Sequence, residues 1–137
     1  MACVLDCSVA LAWAFPDETS EAAERLLTDH PSSRPLWVPG LWWYELSNAL
    51  TVAWRRRRIS ESDCLRLIEL YGELSIHTDT ALNADSVRRW HRLAKDHGLS
   101  AYDAAYLELA ERRELPLATL DRRLRTAARS AGIALMT

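Results

Sequence analysis

The sequence predicts an α/β sandwich built on a parallel sheet. Short apolar runs alternate with longer stretches of helical periodicity along the whole chain. The runs Ala2–Leu5, Pro35–Pro39 and Pro116–Leu120 are almost wholly apolar, as strands covered on both faces are. The first and last of them lead directly into an aspartate, Asp6 and Asp121, at the end where open parallel sheets bind ligands.

Taken in order, Ala2–Leu5 reads as the first strand. Ser8 is placed to cap a short helix from Val9 to Phe15, which must stop before Pro16. Ser20 to Asp29 sets Ala22, Ala23, Leu26 and Leu27 on one face and reads as a helix; His30-Pro31-Ser32-Ser33 reads as a loop. Pro35–Pro39 is a second strand. An aromatic-rich helix follows from Leu41 to Arg57, with Leu46, Ala49, Leu50 and Ala53 at helical spacing. Ser60 and Asp63 stand at the spacing of a capping box and open a helix through Tyr71. Leu74–Thr78 is a brief strand, and Ala81–His97 a helix ended by Gly98. Ser100 and Asp103 form another capping pair. Pro116–Leu120 is a strand, Arg122–Ala131 a helix, and Gly132–Met136 a last strand.

Composition narrows the function. The 137 residues are 49% hydrophobic and 26% charged, which suits a single packed domain and not a disordered chain. No linker or repeat divides them, so one domain over 1–137 is expected. Nineteen acids against seventeen bases give a formal charge of −2, which argues against a polybasic coat for nucleic acid. Cys3, Cys7 and Cys64 fit no disulfide framework, and the four scattered histidines complete no zinc spacing; a reducing cytoplasm is expected. The apolar stretch Val9–Phe15 falls far short of the roughly 20 residues a bilayer needs, and no Lys or Arg precedes it as a signal peptide requires.

Four acids carry the chemistry. Asp6 and Asp121 follow strands and so point toward one crevice. Glu45 and Asp103 interrupt the otherwise apolar stretches 41–46 and 101–107. A charge in such a place is costly unless it is paired or binds metal. No equal set of lysines or arginines is interleaved with these acids. Mutual repulsion would drive some of them to take up protons, and a divalent cation resolves the conflict. Mg²⁺ or Mn²⁺ prefers carboxylate and water oxygens and pairs them with substrate phosphates. Taken singly, Asp103 and Asp121 read equally well as helix caps, and Glu45 as a partly exposed acid.

The residues around these acids resemble the PIN domain, and more narrowly the VapC-type ribonuclease toxins of type II toxin–antitoxin pairs. The resemblance rests on Val4-Leu5-Asp6-Cys7-Ser8, Glu45-Leu46-Ser47-Asn48-Ala49-Leu50, Leu99-Ser100-Ala101-Tyr102-Asp103-Ala104-Ala105-Tyr106 and Leu117-Ala118-Thr119-Leu120-Asp121, in that order. It covers nearly the whole chain. It implies a three-layer α/β/α PIN-like sandwich with a short, mainly parallel central sheet. It implies a Mg²⁺- or Mn²⁺-dependent endoribonuclease in which metal-activated water leaves a 5′-phosphate and a 3′-hydroxyl. A homodimer and a cognate VapB-like antitoxin are the implied partners. Asp6, Glu45, Asp103 and Asp121 carry over as catalytic metal ligands, with Asp6 and Asp103 the most constant of them. Ser8, Asn48 and Thr119 carry over as residues that orient the carboxylates. Leu124 stands where many relatives have an aromatic, which we read as a packing change.

Other features divide between a plain and a sharper reading. Arg122, Arg123 and Arg125, beside Asp121, are candidate RNA contacts. Arg55–Arg58 is a solvated helix end or a phosphate-contacting arm. Of six tryptophans, Trp37, Trp42, Trp43 and Trp54 gather around one helix, as core or as a patch for a dimer or antitoxin helix. A catalytically inactive PIN-like RNA-binding or scaffold module is the alternative to the enzyme. An aspartyl-phosphate enzyme or receiver is disfavoured, since Ser8 stands where a second Asp belongs and no lysine follows Lys95.

Overall fold

The structure, a computed structural model, describes residues 2–18, 20–29 and 34–136; the expected loop at His30–Ser33 lies outside them. Strands β1 (Cys3–Leu5), β2 (Leu36–Pro39), β3 (Ile76–Asp79) and β4 (Leu117–Ala118) form one sheet in the order β3-β2-β1-β4. All three pairings are parallel, with Val4 level with Trp37 on one side and with Leu117 on the other. The helices are α1 (Cys7–Ala14), α2 (Glu21–Asp29), α3 (Leu41–Arg55), α4 (Glu61–Glu73), α5 (Ala84–His97), α6 (Ala101–Arg113) and α7 (Arg122–Ser130), with a 3₁₀ turn at Pro16–Glu18. α6 lies across β1, β2 and β4 with α5 and α7 against it, while α1 packs on α2 and α3, and α3 on α4. The sheet thus sits between two helical groups, as the alternation of elements predicts.

Strands β1 and β4 are buried on both faces; Cys3, Val4, Leu5, Leu117 and Ala118 expose no surface, and neither does Val38 of β2. α6 is buried continuously from Ala104 to Ala110, so it shows no polar stripe there. That run includes Glu108, a charge in the core. Glu108 accepts from Arg89 at 2.8 Å and from Arg112 at 2.7 Å, and Arg112 also binds the buried Asp79 at the end of β3.

Helix ends follow local chemistry. Ser60 and Asp63 make both bonds of the expected capping box. Gly98 closes α5 at φ 64°, where a residue with a Cβ is strained. Several expectations are corrected. Ser8 does not cap α1: the helix starts at Cys7, with Asp6 as its N-cap residue and no side-chain cap bond. α5 begins at Ala84, not Ala81, because Asn83 and Ser86 form a reciprocal capping box there. The expected last strand shrinks to one bridge, Leu135 to Leu117, since two-residue β4 offers little edge to pair with. Arg58 is no free phosphate arm; it binds Asp17 at 2.6 Å and lies over the Phe15 ring.

Candidate active site

The site grows from the place where β1 and β4 lie side by side at their carboxyl ends. Asp6 leaves β1 there and Thr119 leaves β4. Their side chains meet although 113 positions separate them: the Thr119 hydroxyl donates to Asp6 Oδ2 at 2.7 Å. Ser8, the second residue of α1, donates to the same oxygen at 2.7 Å. Each hydroxyl oxygen then accepts a backbone N–H from the β4–α7 connection, Ser8 from Leu120 and Thr119 from Asp121, both at 3.0 Å. Ser8 is therefore a brace between the two strand ends, and not a helix cap. One Asp6 oxygen is pinned twice, and among the described residues the other receives no hydrogen bond.

Glu45 comes from the first half of α3 and is half-buried. The Tyr106 hydroxyl donates to Glu45 Oε1 at 2.5 Å. Tyr106 is one helical turn beyond Asp103, so α6 supplies both an acid and the donor that holds the acid of α3. Sequence reading missed Tyr106. The signal available was its place three residues after Asp103 in an apolar run. Ser100 accepts the Asp103 backbone N–H at 3.1 Å, as its capping position predicts. Asp121 is both a cap and a member of the site. Its Oδ1 accepts the Leu124 N–H at 2.9 Å, and its side chain also faces the cleft. Leu124 itself is fully buried.

All four expected acids thus line one cleft of about 320 Å³, with Cys7, Ser8 and Asn48. Asn48 differs from Ser8 and Thr119. It borders the cleft, yet among the described residues it makes no hydrogen bond to a carboxylate. Arg125 donates to the Thr119 carbonyl at 3.0 Å and so braces the strand end. Arg122 and Arg123 lie exposed beside the cleft.

No described ion pair neutralises any of the four acids. Burial raises the Asp6 pKa; the Thr119 and Ser8 hydroxyls offset this in part, while Asp103 and Asp121 add to it. Glu45 is raised by burial, against the Tyr106 hydrogen bond. Asp103 is raised by burial and by Asp121, and eased by Ser100 and Arg123. Burial, Glu45 and Asp6 push the Cys7 thiol to about 12, so it stays neutral and is no nucleophile.

This donor set fits a hard divalent cation: oxygen ligands only, an excess of negative charge, and carboxylates whose free oxygens border one space. Among the described residues no three His, Cys, Asp or Glu side chains are grouped closely enough to hold a metal ion by themselves. Mg²⁺ and Mn²⁺ commonly take only one or two carboxylates, with waters and substrate oxygens completing the shell.

A parallel α/β sandwich with an acidic cleft at the β1–β4 carboxyl ends defines the PIN fold, and the chain belongs to the PIN domain family, whose model matches residues 3–130. Among particular relatives, it is 34% identical over 128 residues to Ribonuclease VapC3 from Pyrobaculum aerophilum, covering 90% of this chain and 92% of that one. A crystal structure of PAE2754 from the same organism superposes with a TM-score of 0.68 at 26% identity, over 93% of this chain and 79% of that one. FitAcB from Neisseria gonorrhoeae has the same fold, with a TM-score of 0.70 at 17% identity over 100% and 97% of the two chains. So has a toxin–antitoxin complex from Klebsiella pneumoniae, with a TM-score of 0.59 at 17% identity over 87% and 86%. Among the described residues no helix is long and apolar enough to cross a membrane.

Proposed function

We propose that this protein is a metal-dependent endoribonuclease toxin of the VapC type. The observation that carries the reading is the unpaired acidic cleft, in which neutral donors hold one oxygen each of Asp6, Glu45 and Asp121. Asp6, Glu45, Asp103 and Asp121 would hold Mg²⁺ or Mn²⁺. The bound ion would supply charge neutralisation at the scissile phosphate and a more acidic water. Ser8 and Thr119 keep Asp6 from rotating, and Tyr106 does the same for Glu45. The exposed side of the cleft admits single-stranded or looped RNA, whose bases are free to splay apart. The test is hydrolysis of RNA by protein purified free of partners. Cleavage is expected with Mg²⁺ or Mn²⁺ and none in EDTA; RNA retained without hydrolysis at any metal concentration would favour the inactive binding module instead.

The Tyr106 hydroxyl gives a sharper check. Tyr106→Phe removes one donor and little volume. Loss of such a supporting hydrogen bond is expected to weaken metal affinity by about 10-fold or more. Calorimetric titration with Mn²⁺ measures this directly, and unchanged affinity would remove Tyr106 from the site's support.

An antitoxin is the proposed protein partner. Between α3 and α4 runs an apolar groove of about 420 Å³ lined by Trp43, Leu46, Leu50, Trp54, Leu65 and Ile68. Trp42 is core, whereas Trp54 and Ile68 remain about half exposed, at 48% and 52%. Exposed aromatics of this kind anchor partner helices. Trp54→Arg is expected to leave the fold intact and to weaken capture of a co-expressed antitoxin by at least about 10-fold, read by co-purification. Equal capture would move the interface elsewhere.

A further inference from the structure

A second cavity, of about 510 Å³, is lined in part by the two residues that directly follow Asp121 of the acidic cleft. It lies between the carboxyl end of α5 and the start of α7, and its polar lining is Asp96, His97, Arg122, Arg123, Thr126 and Ser130. Arg122 and Arg123 are the first two residues of α7, directly after Asp121. Local physics disfavours them there. The amino end of a helix carries partial positive charge, which attracts acids and repels arginine. The N-cap acid Asp121 offsets this in part, but the first turn of α7 itself contains no acid. Arg88, Arg89, Arg92 and Arg112 on α5 and α6 each bind a carboxylate. Arg122 and Arg123, in contrast, make no ion pair or side-chain hydrogen bond among the described residues, and both are exposed. Two unpaired guanidiniums beside a cavity are a place prepared for an external anion. The Thr126 hydroxyl is tied to the Arg122 carbonyl at 3.0 Å, which leaves recognition to the arginines and half-buried His97.

The anion is set by what lies next door. Arg123 is near enough to Asp103 for its charge to act on that carboxylate. A strand with its scissile phosphate over the acids therefore has a flanking phosphate within reach of α7. We infer that the α5–α7 cavity is a substrate subsite that grips the backbone phosphates of single-stranded RNA next to the scissile bond, through Arg122 and Arg123. This rests on the endoribonuclease reading above and adds where the strand runs: from the carboxylates along the first turn of α7 toward the end of α5. Asp96 on the far wall opposes phosphate and limits how tightly the strand is held.

The test compares Arg122→Ala/Arg123→Ala with Arg55→Ala/Arg56→Ala, which removes equal charge from the other basic run. The probes are a fluorescent single-stranded RNA of about eight nucleotides and a dinucleotide that spans only the scissile bond. Binding of the longer RNA is followed by anisotropy across salt concentrations, and cleavage of the dinucleotide by chromatography. The α7 double variant is expected to bind the longer RNA at least 10-fold more weakly. The slope of log affinity against log salt is expected to fall by roughly 1.4, two single-strand phosphate contacts' worth. Tm should hold or rise, because two arginines leave a positive helix end. The α3 variant should bind the longer RNA as the unaltered protein does. Unchanged affinity and salt slope in the α7 variant would overturn the subsite. So would equal losses in both double variants. Failure of the unaltered protein to cleave either RNA in Mn²⁺ would overturn the enzymatic reading itself, a result distinct from all of these.

Discussion

Asp6→Asn is expected to abolish RNA cleavage and, at the same time, to make the metal-free protein more stable at neutral pH. Asp6 is 7% exposed, with other acids across the cleft and no cation paired to it. The fold raises its pKa, so the protonated carboxyl is the form the fold prefers. Stability from this group is therefore fully present below the unfolded value near 3.9 and is lost as pH rises through the higher folded value. At pH 7 without metal the wild type carries that cost. Asparagine does not, and its carbonyl still accepts from Ser8 and Thr119. In EDTA, Asp6→Asn should melt above wild type at pH 7, and the gap should close as the pH falls toward 4. Added Mn²⁺ should reverse the order, because an ion that binds only the folded wild type raises its stability by mass action. Activity should fall by about a thousandfold, the equivalent of several kcal/mol of lost charge stabilisation. Scanning calorimetry at two pH values, with and without Mn²⁺, reads the stability half; a variant that melts below wild type in EDTA at pH 7 would refute it.

Arg112→Met is expected to be the most damaging single change outside the hydrophobic core. Arg112 bridges Glu108 and Asp79, whose side chains are 4% and 7% exposed. Removing the shared cation leaves Asp79 with no described ion-pair partner and Glu108 with Arg89 alone. Breaking a buried pair from one side costs about 3–5 kcal/mol. The lower figure applies, since Arg112 keeps 30% of its side chain in solvent. A loss of about 3 kcal/mol corresponds to a Tm lower by roughly 10 °C. Arg112→Lys should fall between the two proteins, because an ammonium cannot make the planar fork that reaches both acids. Denaturant titration orders the three, and a methionine variant as stable as wild type would show that the network contributes nothing net.

The two predictions concern carboxylates that look alike in sequence. Asp6 and Asp79 both stand at the carboxyl end of a parallel strand. Asp6 lies at the middle of the sheet, where β4 joins β1 on the side away from β2, and there it faces other acids. Asp79 lies on the edge strand and meets an arginine. The rule that ligands gather at strand ends selects both, and only strand order separates them. Ser8 shows the same limit. Its spacing after a strand reads as a cap, but once β4 lies beside β1 the hydroxyl finds Asp6 and the Leu120 N–H instead.

What the sequence by itself determined was everything that depends on neighbours a few residues apart. Apolar runs, helical periodicity, the Ser60 capping box and Gly98 placed the elements; position directly after a strand marked Asp6 and Asp121, and apolar surroundings marked Glu45 and Asp103. Only the tertiary structure decided which donors hold those acids, which arginines are committed, and which tryptophans stay exposed. Those outcomes hang on contacts such as Tyr106 to Glu45 and Thr119 to Asp6, across 61 and 113 positions. Chain periodicity carries no information about pairings at that range; they arise when burial of the strands sets β4 beside β1 and lays α6 across them both.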